Sequence, residues 1–450
     1  MKIHFVGISG IGISALAKYY LYSGNLVSGS DLTYPNDVFS KKEIKKIKFY
    51  LGHKESNLKD DVGLVIHSLA VSQENPELKK ANKLKIPIKP YPEALGDLTK
   101  KYFTIAISGT HGKSTTTAMI SQILVKAGFD PLVFIGSKVS GFGKNGDPSN
   151  FRYGKSNFLV IEADEYKEGF LNHHPNIIVI TNIEEDHLDY YKNYTNILKA
   201  FKKFILNLKE KEGFKKTLIV NKKDKGIQKI IKSKKWLYDN NISCLFYNKK
   251  KENLNIKLKV PGKHNKENAL AAIKVAEVLN IDKKICLKAL KEFSGIWRRL
   301  EFKGFLNEAK IYDDYGHHPT EIKATLKAAR ELLEKNKKLY LVFQPHQYDR
   351  TYRLFNKFLK AFDDADFAII LDIYDVKGRE NKNIKEKINS LKLVQKINRK
   401  NVIYLPDFNS CIEFLREKLK KGDICVIMGA GDVFKLTEKM INLGIIKTKK

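Results

Sequence analysis

One stretch restricts the fold of this chain more than any other. Phe103-Thr104-Ile105-Ala106-Ile107-Ser108 runs into Gly109-Thr110-His111-Gly112-Lys113-Ser114, and Thr115-Thr116-Thr117 follow. An apolar, β-branched run enters a glycine-containing turn, and the residues behind the Lys–Ser pair can start a helix. Backbone N–H groups left unpaired at such a turn and helix start point at bound phosphate. Lys113 can reach the outer phosphates, and the Ser114 hydroxyl can ligate a phosphate-bound Mg²⁺. The first glycine of the usual phosphate-loop pattern would fall at Ile107, so the reading relies on Gly109 and Gly112. An ordinary glycine turn between strand and helix is the alternative that the residues leave open.

With 450 residues, two or three domains are expected. A hydrophobic fraction of 43% can build real cores, and 11% aromatic residues argue against disorder. No apolar run is long enough to cross a bilayer, and Met1 to Gly7 reads as a strand entering a turn rather than a signal peptide. The four cysteines, Cys244, Cys286, Cys411 and Cys425, are too scattered for a CxxC metal site or a dense disulfide framework. A cytoplasmic location is expected. The net charge of +32 comes largely from lysines spread along the whole chain, as in Lys41-Lys42 and Lys222-Lys223. Without a nucleic-acid module beside it, that charge reads as a solvated surface that also attracts anionic substrates. No nucleic-acid partner is expected.

Taken in order, the chain opens with a βαβ pattern. Lys2 to Val6 is a strand, Gly7-Ile8-Ser9-Gly10-Ile11-Gly12 a turn, and Leu26 to Asp31 a second strand ending in an acid. Glycines permit close approach to a pyrophosphate, and a strand-end acid can meet a sugar hydroxyl. The G-x-x-G-x-G spacing is not the dinucleotide fingerprint, so another diphosphate ligand fits as well. Val62 to His67 is a further strand, Ile86-Pro87-Ile88 a short edge element, and Asp97 to Lys101 a polar turn closing the first domain. Thr320 is read as the cap of a helix beginning beside Pro319.

Behind the phosphate loop, strands Phe158 to Ile161 and Ile177 to Ile180 end in Glu162, Asp164 and Glu165 and in Glu184-Glu185-Asp186-His187. Strand C-terminal ends form the ligand crevice of open α/β sheets. Glu162 and His187 are therefore candidate divalent-metal ligands, with a solvated acidic turn as the alternative. The lysine- and asparagine-rich stretch 208–260 holds two strands, after which Pro261-Gly262-Lys263-His264-Asn265 opens a helix. Asn265 and Asn268 share a face of it and can offer amides to a base. In the last third, strands Ala309 to Tyr315, Leu339 to Phe343, Phe367 to Leu371 and Ile424 to Met428 alternate with helices, and His317 and His346 follow strand ends. The expected domains are 1–98, 99–293 and 294–450, all α/β. The constellation suits phosphoryl transfer to a carboxylate followed by amine attack.

Together these segments resemble the Mur ligases. The resemblance rests on HFVGISGIGISALA from His4, ISGTHGKSTTT from Ile107, IEADE from Ile161 and TNIEEDHLDYY from Thr181. It continues through PGKHNKENALAA from Pro261, RRLE from Arg298, DDYGHHPTEI from Asp313 and FQPHQYDRT from Phe343. It implies a Rossmann-like N-terminal domain, a central P-loop ATPase-like domain and a Rossmann-like C-terminal domain. The implied activity joins L-alanine to UDP-N-acetylmuramate with ATP and Mg²⁺, Mn²⁺ being a possible substitute, in a monomer or weak homodimer. Gly7, Gly10, Gly12 and Asp31 are then expected at the UDP-sugar. Gly109, Thr110, His111, Gly112, Lys113 and Ser114 are expected at the ATP phosphates, Asn265 and Asn268 at the adenine, and Arg299 and Asp314 at phosphate and ribose. Ser114, Glu162 and His187 would hold metal, and His317, His346 and Arg350 would line the amino-acid and acyl-phosphate site. Related ligases use a carbamylated lysine; Lys202 is at a suitable distance, but no modification is expected there. One departure stands out: the family's Pro-His-Arg-Tyr-Ser/Thr-Arg is here Pro345-His346-Gln347-Tyr348-Asp349-Arg350. A murein-peptide recycling ligase and a nucleotide-switch or nucleic-acid-binding ATPase are the competing readings.

Overall fold

The structure, a computed structural model, describes residues 1–211, 213–247, 255–376 and 382–448; within the stretch 208–260, residues 212 and 248–254 therefore lie outside the description. Internal contacts divide the chain into two compact units. The first comprises Met1–Glu185, Asn193–Lys257 and Glu267–Ile296; the second comprises Asp186–Lys192, Leu258–Lys266 and Trp297–Lys450.

The first unit holds two sheets. β1 (Lys2–Val6), β2 (Leu26–Asp31), β3 (Lys48–Leu51), β4 (Leu64–His67) and β5 (Ile88–Pro90) form a parallel sheet in the order β3-β2-β1-β4-β5. The chain reverses direction across the sheet at β1, so the Gly7–Gly12 turn sits at a topological switch point, where such sheets bind ligands. The second sheet contains β6 (Phe103–Ser108), β7 (Leu132–Val139), β8 (Ser149–Arg152), β9 (Phe158–Glu162), β10 (Ile177–Ile180), β11 (Thr217–Asn221) and β12 (Ser243–Tyr247). Their order is β12-β11-β10-β6-β9-β7-β8, with only the β7–β8 pair antiparallel. β6 is buried throughout because β10 and β9 flank it and helices cover both faces, which is why its sequence is a continuous apolar run. Register places Ile107 opposite Glu162 and Ser108 opposite Ile180, so three strands end side by side.

Side chains tie the two sheets together. Asn150 on β8 donates to the Ile11 carbonyl at 2.5 Å and to the Ser14 hydroxyl at 2.8 Å, both on the helix Ile11–Tyr22. Lys18 on the same helix donates back to Asn150 at 2.8 Å.

In the second unit lie β13 (Glu301–Leu306), β14 (Ala309–Asp314), β15 (Leu339–Phe343), β16 (Phe367–Ile370), β17 (Val402–Tyr404) and β18 (Ile424–Met428). Their order is β13-β14-β18-β15-β16-β17, parallel except for β13–β14. Apolar clusters fill both faces, one around Phe343, Phe358 and Phe362 and the other around Val342, Ile427 and Leu436. Asp314 and Phe343 both register with Met428, aligning the ends from which the histidine-bearing loops leave.

Three sequence expectations change. Asp97 to Lys101 is not a polar turn but the last part of the helix Tyr91–Lys101, whose Ala94, Leu95 and Leu98 are buried while Lys100 and Lys101 occupy its last turn. The edge element near Ile86 is shifted to Ile88–Pro90, after Pro87 rather than through it. Five strands escaped the sequence reading, β3, β7, β8, β13 and β17. β3 is a half-exposed edge, Gly136 and Ser137 interrupt β7, and Gly304 marks a register shift in β13. Among the described residues, no helix is long and apolar enough to cross a membrane, and all four cysteines are free.

Candidate functional site

At the first sheet, Gly7 follows β1 and Gly10 precedes the helix Ile11–Tyr22. Gly12 lies against the Tyr91 ring, which an added Cβ would meet at 3.2 Å. Asp31 stands at the end of β2, where its carboxylate accepts N–H bonds from Ser9 at 2.9 Å and Leu32 at 2.7 Å. These bonds tie the end of β2 to the glycine turn.

The loop after β6 is built by its neighbour β10. Thr110 N–H donates to the Asn182 carbonyl at 3.0 Å and His111 N–H to the Asn182 side chain at 2.9 Å. Thr181 Oγ1 and Asn182 Nδ2 donate to the His111 carbonyl at 2.6 and 3.0 Å, and Glu184 N–H donates to the Thr110 hydroxyl at 2.9 Å. Gly109 (φ +127°) and Gly112 (φ +82°) occupy backbone conformations that disfavour side chains, and both are crowded as well. A Cβ would stand 2.2 Å from Thr181 Oγ1 at Gly109 and 2.6 Å from Asn268 Oδ1 at Gly112. These two glycines, not one at Ile107, make the loop.

Lys113 begins the helix Lys113–Lys126 and turns back over the loop. Its ammonium donates to the Gly109 carbonyl at 2.7 Å and to Glu165 at 2.9 Å. Burial works against its charge, but the carboxylates of Glu165, Asp164 and Glu162 outweigh that and raise its pKa. Ser114 donates its hydroxyl to Glu162 at 3.0 Å, and the other Glu162 oxygen accepts the Gly136 N–H at 2.8 Å. Lys113, Ser114, Glu162 and Asn268 therefore gather around one strand–helix junction. Lys202 is exposed, its ammonium 5.0 Å from the centre of the Trp236 ring.

The remaining candidates belong to the second unit. His187, in left-handed conformation (φ +51°), begins a short helix, and its N–H donates to Asp186 at 2.8 Å. Arg350 meets the Asp186 carboxylate through Nε and Nη2, each at 3.1 Å. Although burial opposes it, the charge of Arg350 holds the Asp186 carboxyl well below the usual carboxylate range. The third guanidinium nitrogen, Arg350 Nη1, donates to His346 Nδ1 at 3.0 Å. Since arginine only donates, His346 Nδ1 carries the lone pair and the ring proton is assigned to Nε2. His346 stacks on Tyr374, and its ring centre is 5.6 Å from that of His317. His317 Nδ1 faces the Tyr315 carbonyl at 3.3 Å, which assigns its proton to Nδ1 and leaves the lone pair on Nε2. Burial, then the charge of Arg350, lowers the His317 pKa to about 3.

Arg299 pairs with Glu321 at 3.1 Å, and Asp314 accepts the N–H groups of Leu300 at 2.8 Å and Gly316 at 2.7 Å. Burial raises the Asp314 pKa, partly offset by Arg299. Asn265 donates to the Pro261 carbonyl at 2.6 Å. Asp349 pairs with Arg353, not Arg350, at 2.8 Å. His318 rather than Thr320 caps the helix Pro319–Arg330: its Nδ1 accepts the Thr320 N–H at 3.2 Å, while Glu321 accepts those of His317 and His318.

Sequence reasoning missed Glu165 as the counter-ion of Lys113 and Glu321 as the partner of Arg299. Both stand in quoted motifs, but neither motif says which cation its acid will meet.

Three family models match in succession: the Mur ligase family catalytic domain over residues 2–103, the Mur ligase middle domain over 107–276, and the Mur ligase glutamate ligase domain over 298–431. The chain is 42% identical to the UDP-N-acetylmuramate–L-alanine ligase of Acetivibrio thermocellus, covering 98% of this chain and 95% of that protein. It is 39% identical to the enzyme of that name from Clostridium kluyveri, with 98% of each covered. Among solved structures, the UDP-N-acetylmuramate–alanine ligase of Thermotoga maritima superposes with a TM-score of 0.76 at 28% identity, covering 99% of both chains. A murein peptide ligase from Psychrobacter arcticus shares the fold, with a TM-score of 0.69 at 21% identity and 100% of both chains covered.

Proposed function

This chain belongs to the Mur ligase family, with UDP-N-acetylmuramate–L-alanine ligases as its relatives, and from that premise we propose how its residues share the work of ligation. The enzyme joins L-alanine to the lactyl carboxylate of UDP-N-acetylmuramate at the expense of ATP, a step in making peptidoglycan precursors. A carboxylate oxygen attacks the γ-phosphorus, the bond to the departing ADP oxygen breaks, and an acyl phosphate forms. The alanine amine then attacks the acyl carbon, phosphate leaves, and the nitrogen loses its proton as the amide forms.

The observation that carries the division of roles is the junction of Lys113, Ser114 and Glu162 at the ends of β6 and β9. Lys113 stabilises charge on the transferred phosphoryl group, and the loop N–H groups cradle the phosphates beside it. Asn265 and Asn268 hold the adenine; Arg299 and Asp314 meet phosphate and ribose. Gly7, Gly10, Gly12 and Asp31 hold the UDP-sugar. Oxygen donors suit Mg²⁺, and the Ser114 hydroxyl and Glu162 carboxylate are such donors, with His187 as a nitrogen ligand. When bound, Mg²⁺ supplies neutralisation of phosphoryl charge.

His317, His346 and Arg350 serve the amine step. With its lone pair on Nε2, His317 accepts a hydrogen bond from an N–H of the neutral substrate amine and so orients the amine lone pair; its low basicity makes it a positioning acceptor. His346 offers its Nε2–H to the oxygen that gains charge. Arg350 fixes the His346 tautomer through the bond at Nδ1.

The test is ADP release with UDP-N-acetylmuramate, Mg²⁺ and each amine in turn, paired with detection of the amide. L-Alanine should give stoichiometric amide and ADP. Turnover with a preformed tripeptide but not with L-alanine would reassign the enzyme to peptide recycling.

A further inference from the structure

Beside the helix Ile11–Tyr22 lies a cavity of about 330 Å³, walled by that helix, by residues of the 36–46 segment and by the turn between β7 and β8, all within the first unit. No residue assigned above to ATP, UDP-sugar, metal or amine lines it. Its size suits a small metabolite.

Its charge is unusual. Lys18, Lys42, Lys46, Lys138 and Lys144 line it, against Asp37, Glu43 and Asp147. Glu43 is already engaged, accepting the Tyr22 hydroxyl at 2.5 Å and the Ser40 N–H at 2.6 Å. The deepest cation is Lys18, only 2% exposed. Its ammonium donates to two neutral groups, Ser149 Oγ at 3.0 Å and Asn150 Oδ1 at 2.8 Å, and lies 5.5 Å from the centre of the Phe39 ring. Among the described residues, no carboxylate pairs within 4 Å with Lys18, Lys42, Lys46 or Lys144. Buried charges are ordinarily paired. Burial lowers the Lys18 pKa to about 8 even though Glu43 acts to raise it.

We propose that this cavity binds a small phosphate-bearing anion that supplies the missing counter-charge to Lys18. Its five lysines exceed its three carboxylates by two charges, which a phosphate dianion balances. Because Lys18 joins the helix behind the glycine turn to β8, such a ligand clamps the first sheet's helix to the second sheet.

The test uses the full chain saturated with UDP-N-acetylmuramate and a non-hydrolysable ATP analogue, so that the phosphate loop is filled. Inorganic phosphate, pyrophosphate and AMP are then titrated calorimetrically. One additional site is expected; tighter binding of AMP than of phosphate identifies a nucleotide, and equal binding identifies free phosphate. Lys18→Met should abolish the site. Because that variant also removes buried bonds, Lys46→Gln and Lys144→Gln at the exposed rim are the second measurement, each expected to weaken binding about tenfold. No heat with both substrate sites filled, an unchanged affinity in both rim variants, or the same heat from chloride at equal ionic strength would overturn the proposal.

Discussion

The ammonium of Lys113 and the carboxylate of Glu165 lie 2.9 Å apart at the mouth of the phosphate loop, in a site where each is largely buried. The cation proposed to meet phosphate is thus held by an internal anion, which keeps it charged.

Replacing Lys113 therefore has two separable effects. Lys113→Ala should lower ligation by about 10²-fold or more. It also leaves Glu165 buried without its cation, at a cost of about 3–5 kcal/mol. The double variant Lys113→Ala/Glu165→Gln should regain most of the lost thermal stability and none of the activity. Calorimetry beside an ADP-release assay separates the two. Activity within twofold of the parent enzyme would remove Lys113 from the chemistry.

Glu162 and His187 should report on metal. Glu162→Gln and His187→Ala are each expected to raise the Mg²⁺ concentration for half-maximal activity about tenfold or more, with UDP-sugar affinity nearly unchanged. Metal titrations that overlay the parent curve for both variants would dismiss them as ligands.

His317 should stay neutral across the working range. Its native pKa is depressed to about 3 from an ordinary value of 6.5. The unfolded chain thus binds a proton that the native chain refuses between those values, and stability falls as pH drops from about 6.5 towards about 3. Asp186 adds to the loss below its ordinary 3.8, because its native pKa is lowered. His317→Gln should melt closer to the parent enzyme at pH 4.5 than at pH 7.5, and the His317 ring resonances should show no inflection between pH 5 and pH 8. A ring titration centred near pH 6.5 would refute the assignment.

Gln347 should bear on the choice of amine. All three guanidinium nitrogens of Arg350 are engaged by Asp186 and His346, so the cation lost where relatives carry arginine is not simply replaced by this one. Carboxylate binding should be weaker by about 1–2 kcal/mol. L-Alanine should be the preferred amine, with a raised KM and some turnover of glycine and L-serine expected, since small pockets discriminate poorly over one group. Gln347→Arg should lower the KM for L-alanine and leave ATP binding alone. An unchanged or higher KM would show that position 347 does not meet the carboxylate.

Much of this was legible from the chain. β6 announced itself because a strand buried on both faces must be apolar at nearly every position, and Gly109 and Gly112 because little else fits their backbone. The edge strands β3 and β17 carry no such signature, β3 being half exposed and β17 only three residues long. Ion-pair partners were the harder part. Asp186 and Arg350 are 164 residues apart, and nothing local tells a carboxylate which distant guanidinium it will face. The same holds for Arg299 with Glu321 and for the His318 cap, where an imidazole does what Thr320 was expected to do.

The bonds from Asn150 to Ile11 and Ser14 bear on how the molecule can be cut. A fragment ending at residue 98 would keep the whole first sheet. It would lose the amide that answers the first helical carbonyl and the acceptor that holds Lys18. An architectural border is then not a border of autonomy. The glycine-turn module should be a poor free-standing fragment, and in the intact chain the first two sheets should melt in one endotherm, as a single cooperative body.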